Sequence, residues 1–195
     1  MHHHFIIHKP YGYLSQFIYA QKRKKKLLGE LYDFPAGTMA IGRLDEDSEG
    51  LLLLTTDGKT SEMIRSKQIE KEYYVQVSGI INEEAVVKLQ AGVEIGCDGK
   101  KYITKPCNAF ILHNIPGFGE RSRKIRDERH GPTSWLSITI SEGKFRQVRK
   151  MTAAVGYPTL RLIRVRIGRI HLRNLQAGEV LEVERFAINE EEISL

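Results

Sequence analysis

Cysteine is scarce in this chain: Cys97 and Cys107 are the two present among 195 residues. Two thiols cannot build the disulfide framework on which small secreted domains depend. No apolar run reaches the roughly 18 residues of a membrane-spanning helix, and no signal-peptide pattern opens the chain. The expectation is a soluble, reduced, cytoplasmic protein with no membrane partner. Several nucleotide and metal motifs are also missing. There is no G-x-x-x-x-G-K-[ST] phosphate loop, no G-x-G-x-x-G and no H-E-x-x-H. The cysteines and His8, His113, His130 and His171 are too scattered for a zinc site. No metal, no nucleotide and no other cofactor is therefore expected.

The chain is long enough to bury roughly 70% of the surface its unfolded form exposes. Its charge is unbalanced, with 30 Lys plus Arg against 24 Asp plus Glu, a net charge of +6 and a pI near 9.3. The excess is clustered. Lys22, Arg23, Lys24, Lys25 and Lys26 form one block, residues 121–129 a second, and residues 144–173 a third. Each block alone reads as a solvated loop, but three together point to a polyanionic partner.

Hydrophobic periodicity divides the chain into strands and helices. FIIHKPYG reads as a strand entering a turn, and KLLGELYDFPAG as a short amphipathic piece. MAIGRLDEDSEGLLLLTTDG places an acid-rich turn between two buried stretches, like a hairpin. TSEMIRSK looks helical, and KEYYVQVSGI alternates as a strand should. Asn82 is a good N-cap for a helix that Gly92 stops. VEIG, YITKPCNAFIL and SWLSITI read as strands, with a long loop over residues 114–133. FRQVRKMTAAVG has helical spacing, with Arg146, Arg149 and Lys150 on one side as a basic stripe. TLRLIRVRIGRIHL alternates, putting Leu160, Leu162, Arg164 and Arg166 on one side, and LQAGEVLEV closes with a turn and a strand. This order implies an α+β fold around a mixed, mostly antiparallel central sheet flanked by helices. Residues 1–4 look like a tag remnant, 5–188 like a single domain of two sub-halves sharing a sheet, and 189–195 like a tail. No separate N-terminal RNA-binding domain is expected.

The acid-rich turn is the main chemical candidate, because Asp45, Glu46, Asp47 and Glu49 crowd into five positions where like charges repel. Asp45, Asp47 and Glu49 before Gly50 imitate the start of a calcium loop. The imitation fails at the twelfth position, which is Thr56 rather than Glu. A glycosidase pair of carboxylates is a second alternative, with no separation fixed by the sequence. Asp47 and Ser48 fit a turn that bonds its own backbone. Arg43 and Leu44 precede Asp45, so a carboxylate at the mouth of a buried element can be kept ionised by guanidinium groups.

GRLDEDSEGLLLLTTDG resembles the signature of the pseudouridine synthases of the small-subunit and B/E/F ribosomal type, in which the Asp after Gly-Arg-Leu is catalytic. The resemblance continues in order through FIIHKPYG, KEYYVQVSG, EGKFRQVRKMTAAVGYPTLRLIRVRIG and a terminal L-x-x-L-x-x-G. Within that family PTSWLSITISEGKFRQVRKM is most similar to the E type, which modifies large-subunit (23S) ribosomal RNA. The resemblance implies the family's catalytic fold with a cleft across the sheet, and a monomer that needs no cofactor. It implies Asp45 as the catalytic residue, Tyr73 as the ring that stacks on a flipped uracil, and Arg149 as the partner of the carboxylate. Arg43 and Leu44 would then border the substrate, with Lys144, Arg146, Lys150 and Arg164 as RNA contacts. Two other classes compete: a non-catalytic RNA-binding or ribosome-assembly protein, and a carbohydrate hydrolase, against which the arginine-rich second half argues.

Overall fold

A computed structural model describes residues 1–18, 25–66, 68–125 and 128–188. The strands and helices, in chain order, are β1 (His4–Lys9), β2 (Met39–Ile41), β3 (Glu49–Thr55), α1 (Gly58–Ser66), β4 (Lys71–Ser78), α2 (Glu83–Ala91), β5 (Glu94–Cys97) and β6 (Lys100–Ile103). They continue with β7 (Asn108–Leu112), β8 (Thr133–Ile140), α3 (Gln147–Ala154), β9 (Thr159–Ile167), β10 (Ile170–His171) and β11 (Val180–Val183). The fold is α+β, with mixed, mostly antiparallel strand pairing. Lys22, Arg23, Lys24, Arg126 and the tail 189–195 lie outside the described residues. Among the described residues no helix is long and apolar enough to cross a membrane.

The chain forms two compact units, one of residues 1–69, 119–123 and 164–195, the other of residues 70–118 and 124–163. In the first, the strand order is β11-β1-β3-β9, with β2 also on β3 and β10 on β9. The expected hairpin is present: Met39, Ala40 and Ile41 face Thr55, Leu54 and Leu53 across an antiparallel ladder. Leu51 to Leu54 are fully buried. Their unbroken apolar run, rather than an alternating one, is what a strand covered on both faces requires. Each leucine contributes about 1.5–3 kcal/mol on burial, enough to hold the charged turn at the strand's entrance. His4 opens β1, is buried, and its Nδ1 lies 2.9 Å from the Thr55 hydroxyl. A residue read as part of a tag is thus a working member of the strand.

The second unit has the order β9-β4-β8-β7 and a separate β5–β6 hairpin. On β4, Tyr73, Val75 and Val77 are buried while their neighbours are half-buried, the expected alternation. Asn82 caps α2 by accepting the Ala85 amide at 3.0 Å, a contact worth about 1 kcal/mol. YITKPCNAFIL is not one strand: β6 ends at Ile103 and β7 starts at Asn108. Pro106 between them has no N–H for a ladder. β9 also departs from expectation, since Arg161, Leu162, Ile163 and Arg164 are all buried. A strand buried at four consecutive residues cannot be sorted by alternation.

Candidate active site

Asp45 lies half-buried in the turn between β2 and β3, and the backbone around it is held at successive residues. The Ser15 hydroxyl donates to the Leu44 carbonyl at 2.7 Å and accepts the Leu44 amide at 2.9 Å. The Asp45 carbonyl accepts the Ser48 amide at 3.0 Å, and the Glu46 carbonyl accepts the Gly12 amide at 2.8 Å. Lys25 pairs with the Glu46 carboxylate. Arg164 Nε donates to the Leu51 carbonyl at 2.8 Å, and its Nη1 lies 3.5 Å from the Arg43 carbonyl. A carboxylate aimed by so many fixed backbone groups loses little orientation entropy on reaction. Arg43 is exposed, whereas the Leu44 side chain belongs to the core.

Arg164, expected as an RNA contact, is 4% exposed and braces the turn from inside. Its Nη2 is buried without a hydrogen-bond partner among the described residues. The strand that carries it comes very close. A Cβ added to Gly50 would lie 2.3 Å from the Arg164 carbonyl oxygen, and Gly50 has φ +105°.

Lys9 and Glu49 are buried in the same unit. Lys9 Nζ donates to the carbonyls of Pro10 at 2.9 Å and Tyr13 at 2.8 Å, which fixes the turn containing Gly12. Burial lowers the Lys9 pKa to about 7; the negative charges of Glu49, Asp47 and Asp45 oppose that fall, and Arg164 adds to it. An unfolded lysine titrates near 10.5, so between about 7 and that value the unfolded chain holds the extra proton. Stability contributed by this group therefore rises with pH across that window, and the cost of burying the ammonium is felt in full below it. Urea unfolding of the wild type should show this rise between pH 7 and about 9.5 relative to Lys9→Met. Parallel profiles for the two proteins would contradict it.

In the second unit Tyr73 sits on β4 opposite Ile138 of β8 and is 8% exposed. Arg149 and Lys150 lie on α3, half-buried, and Lys150 Nζ donates to the Gly96 carbonyl at 2.7 Å. Lys144 is exposed. Arg146 is not on the helix face expected of it: it precedes α3 in a left-handed conformation, φ 53° and ψ 34°. The structure thus gathers Asp45, Arg43, Leu44 and Arg164 in one unit, and Tyr73, Lys144, Arg146, Arg149 and Lys150 in the other. Among the described residues no group of three His, Cys, Asp or Glu side chains could hold a metal ion.

Ser15 and Lys9 carry no expectation from the sequence, Gly12 was expected only as a turn residue with Pro10, and Lys25 only as part of a basic block. Lys9 had one visible signal, a lysine closing the apolar stretch FIIH directly before Pro10. Ser15 had none, because its partner lies 29 residues away.

Comparison with known proteins gives one consistent result. Residues 3–154 match the family model described as RNA pseudouridylate synthase. The chain is 44% identical over 177 residues to the ribosomal large subunit pseudouridine synthase E of Xanthomonas campestris pv. campestris, covering 89% of this chain and 91% of the relative. It is 41% identical to the protein of the same description from Vibrio parahaemolyticus, over 92% of this chain and 73% of that one. A ribosomal large subunit pseudouridine synthase B of Bacillus subtilis is 33% identical, over 92% and 67% respectively. Among solved structures, a crystal structure of a pseudouridylate synthase superposes with a TM-score of 0.74 at 28% identity, covering 99% of this chain and 73% of that one.

Proposed function

Because the chain belongs to the RNA pseudouridylate synthase family, we propose that it isomerises a uridine of large-subunit (23S) ribosomal RNA to pseudouridine, with Asp45 as the catalytic carboxylate. The observation that carries this reading is the Asp45 turn, in which residues 43–46 each have backbone or side-chain groups fixed by Arg164, Ser15, Ser48, Gly12 and Lys25. The printed names of the E-type relatives support the choice of RNA.

The reaction breaks the bond from ribose to a uracil nitrogen, turns the base and joins ribose to a ring carbon. The proton of that carbon is lost and the freed nitrogen gains one, so atoms and electrons balance with no redox partner or energy source. Such chemistry needs no nucleotide or other cofactor. The base must leave its stack to be reached. By the family's motif Tyr73 takes the stacking role and Arg149 is the partner of the catalytic carboxylate. Arg43, exposed beside Asp45, borders the substrate, and Lys144, Arg146 and Lys150 contact the RNA. The reading is of a monomer at work in the cytoplasm.

The test uses the purified chain and in vitro transcribed 23S rRNA carrying tritium at uracil C5. The expected result is release of about one tritium per RNA and one new pseudouridine on mapping. Salt-sensitive binding without tritium release would instead identify an RNA-binding or assembly protein.

A further inference from the structure

The turn before α3 presents a side chain for which the isomerisation has no role. Phe145 is 67% exposed. A lone exposed apolar side chain is ordinary on a protein surface, but this one is held out by a tightly bonded scaffold. The Glu142 carboxylate accepts the Tyr102 hydroxyl at 2.5 Å, the Lys105 amide at 2.9 Å and the Gln147 side-chain amide at 2.6 Å. Burial works against the charge on Glu142, yet these three donors outweigh it and keep the carboxyl below its ordinary range. Gln147 also closes the turn on itself: its Oε1 accepts the Lys144 amide at 2.9 Å and its own amide donates to the Lys144 carbonyl at 3.1 Å. Between them Arg146 is kept left-handed, a conformation that persists in a non-glycine residue only where its surroundings over-determine it.

One cation lies against the ring and a second lies on the scaffold that carries it. The Lys150 ammonium lies 5.4 Å from the Phe145 centroid and is anchored on the Gly96 carbonyl. The Lys144 ammonium lies 4.8 Å from the centroid of Tyr102, itself bonded to Glu142. A rigid outward aromatic with positioned ammonium groups suits single-stranded nucleic acid, in which a base lies on the ring and phosphates meet the cations. A protein partner fits less well, since lysines are depleted at the centres of such interfaces.

We propose that Phe145 is a stacking platform for an unpaired base of the substrate RNA, distinct from the reacting uridine, with Lys144 and Lys150 taking phosphates of the same strand. This rests on the reading of the chain as an enzyme of ribosomal RNA. The test compares wild type, Phe145→Ala, Phe145→Leu and Phe145→Trp on 23S rRNA transcripts, by tritium release and by filter binding. Phe145→Ala and Phe145→Leu should raise both KM and Kd about tenfold, with kcat and Tm close to wild type, and Phe145→Trp should retain wild-type binding. Unchanged Kd in Phe145→Ala, full recovery by Leu, or a lowered Tm would each overturn the platform. Because binding is read separately, a wild type that binds but releases no tritium would defeat the catalytic reading and leave the stacking test intact.

Discussion

Asp45→Asn is expected to bind 23S rRNA within about twofold of wild type while isomerisation falls about 10³-fold or more. Asn has nearly the same shape as Asp, and backbone bonds at Leu44, Asp45 and Glu46, which the substitution does not touch, hold the turn. The substitution therefore removes charge and basicity while leaving the geometry in place. Whether the carboxylate attacks the sugar, adds to the ring or removes a sugar proton, an amide can do none of these. Glu46→Gln is the internal control. Its pair with Lys25 is substantially solvated, with side chains 41% and 30% exposed, so its loss should cost less than about 1 kcal/mol of stability and leave turnover near wild type. Tritium release that survived in Asp45→Asn would remove Asp45 from the chemistry.

Gly50→Ala should be the most damaging single-methyl change in the first unit, lowering stability by more than about 3 kcal/mol or preventing folding. The new Cβ would lie 2.3 Å from the Arg164 carbonyl oxygen, 2.7 Å from its nitrogen and 3.0 Å from its carbonyl carbon. Backbone cannot step aside as the end of a side chain can. The φ of +105° adds strain for any residue with a Cβ. Gly58→Ala provides the contrast: it opens α1, has no atom within 4 Å of its would-be Cβ and no positive φ. That change should be neutral or mildly stabilising. Urea unfolding of both variants decides the matter, and a Gly50→Ala midpoint close to wild type would show that β3 and β9 can separate freely.

Much of the local structure follows from residue order alone. The alternation of KEYYVQVS, the Asn82 cap and the Leu51–Leu54 run correspond to β4, α2 and β3, because each signal acts between residues a few positions apart. β9 defied its alternating pattern, with Arg161 to Arg164 all buried, because burial depends on segments distant in sequence and not on its own residue order. Arg146 left the helical stripe for a different, local reason: the clasp between Lys144 and Gln147 bends the chain just before the helix begins.

The family and most of the strand and helix order were legible in the sequence, since motif and periodicity are written in adjacent residues, and the same motif is the source of the proposal for Asp45. Which charges are buried was settled by the fold. Lys9 and Arg164 look like two more cations of a basic protein, yet the fold makes one a buried staple of the Tyr13 turn with its pKa lowered to about 7 and the other a brace behind residue 43. The physical reason is that desolvation and hydrogen bonding depend on what arrives from elsewhere in the chain: residue 15 reaches residue 44, and residue 164 reaches residue 51.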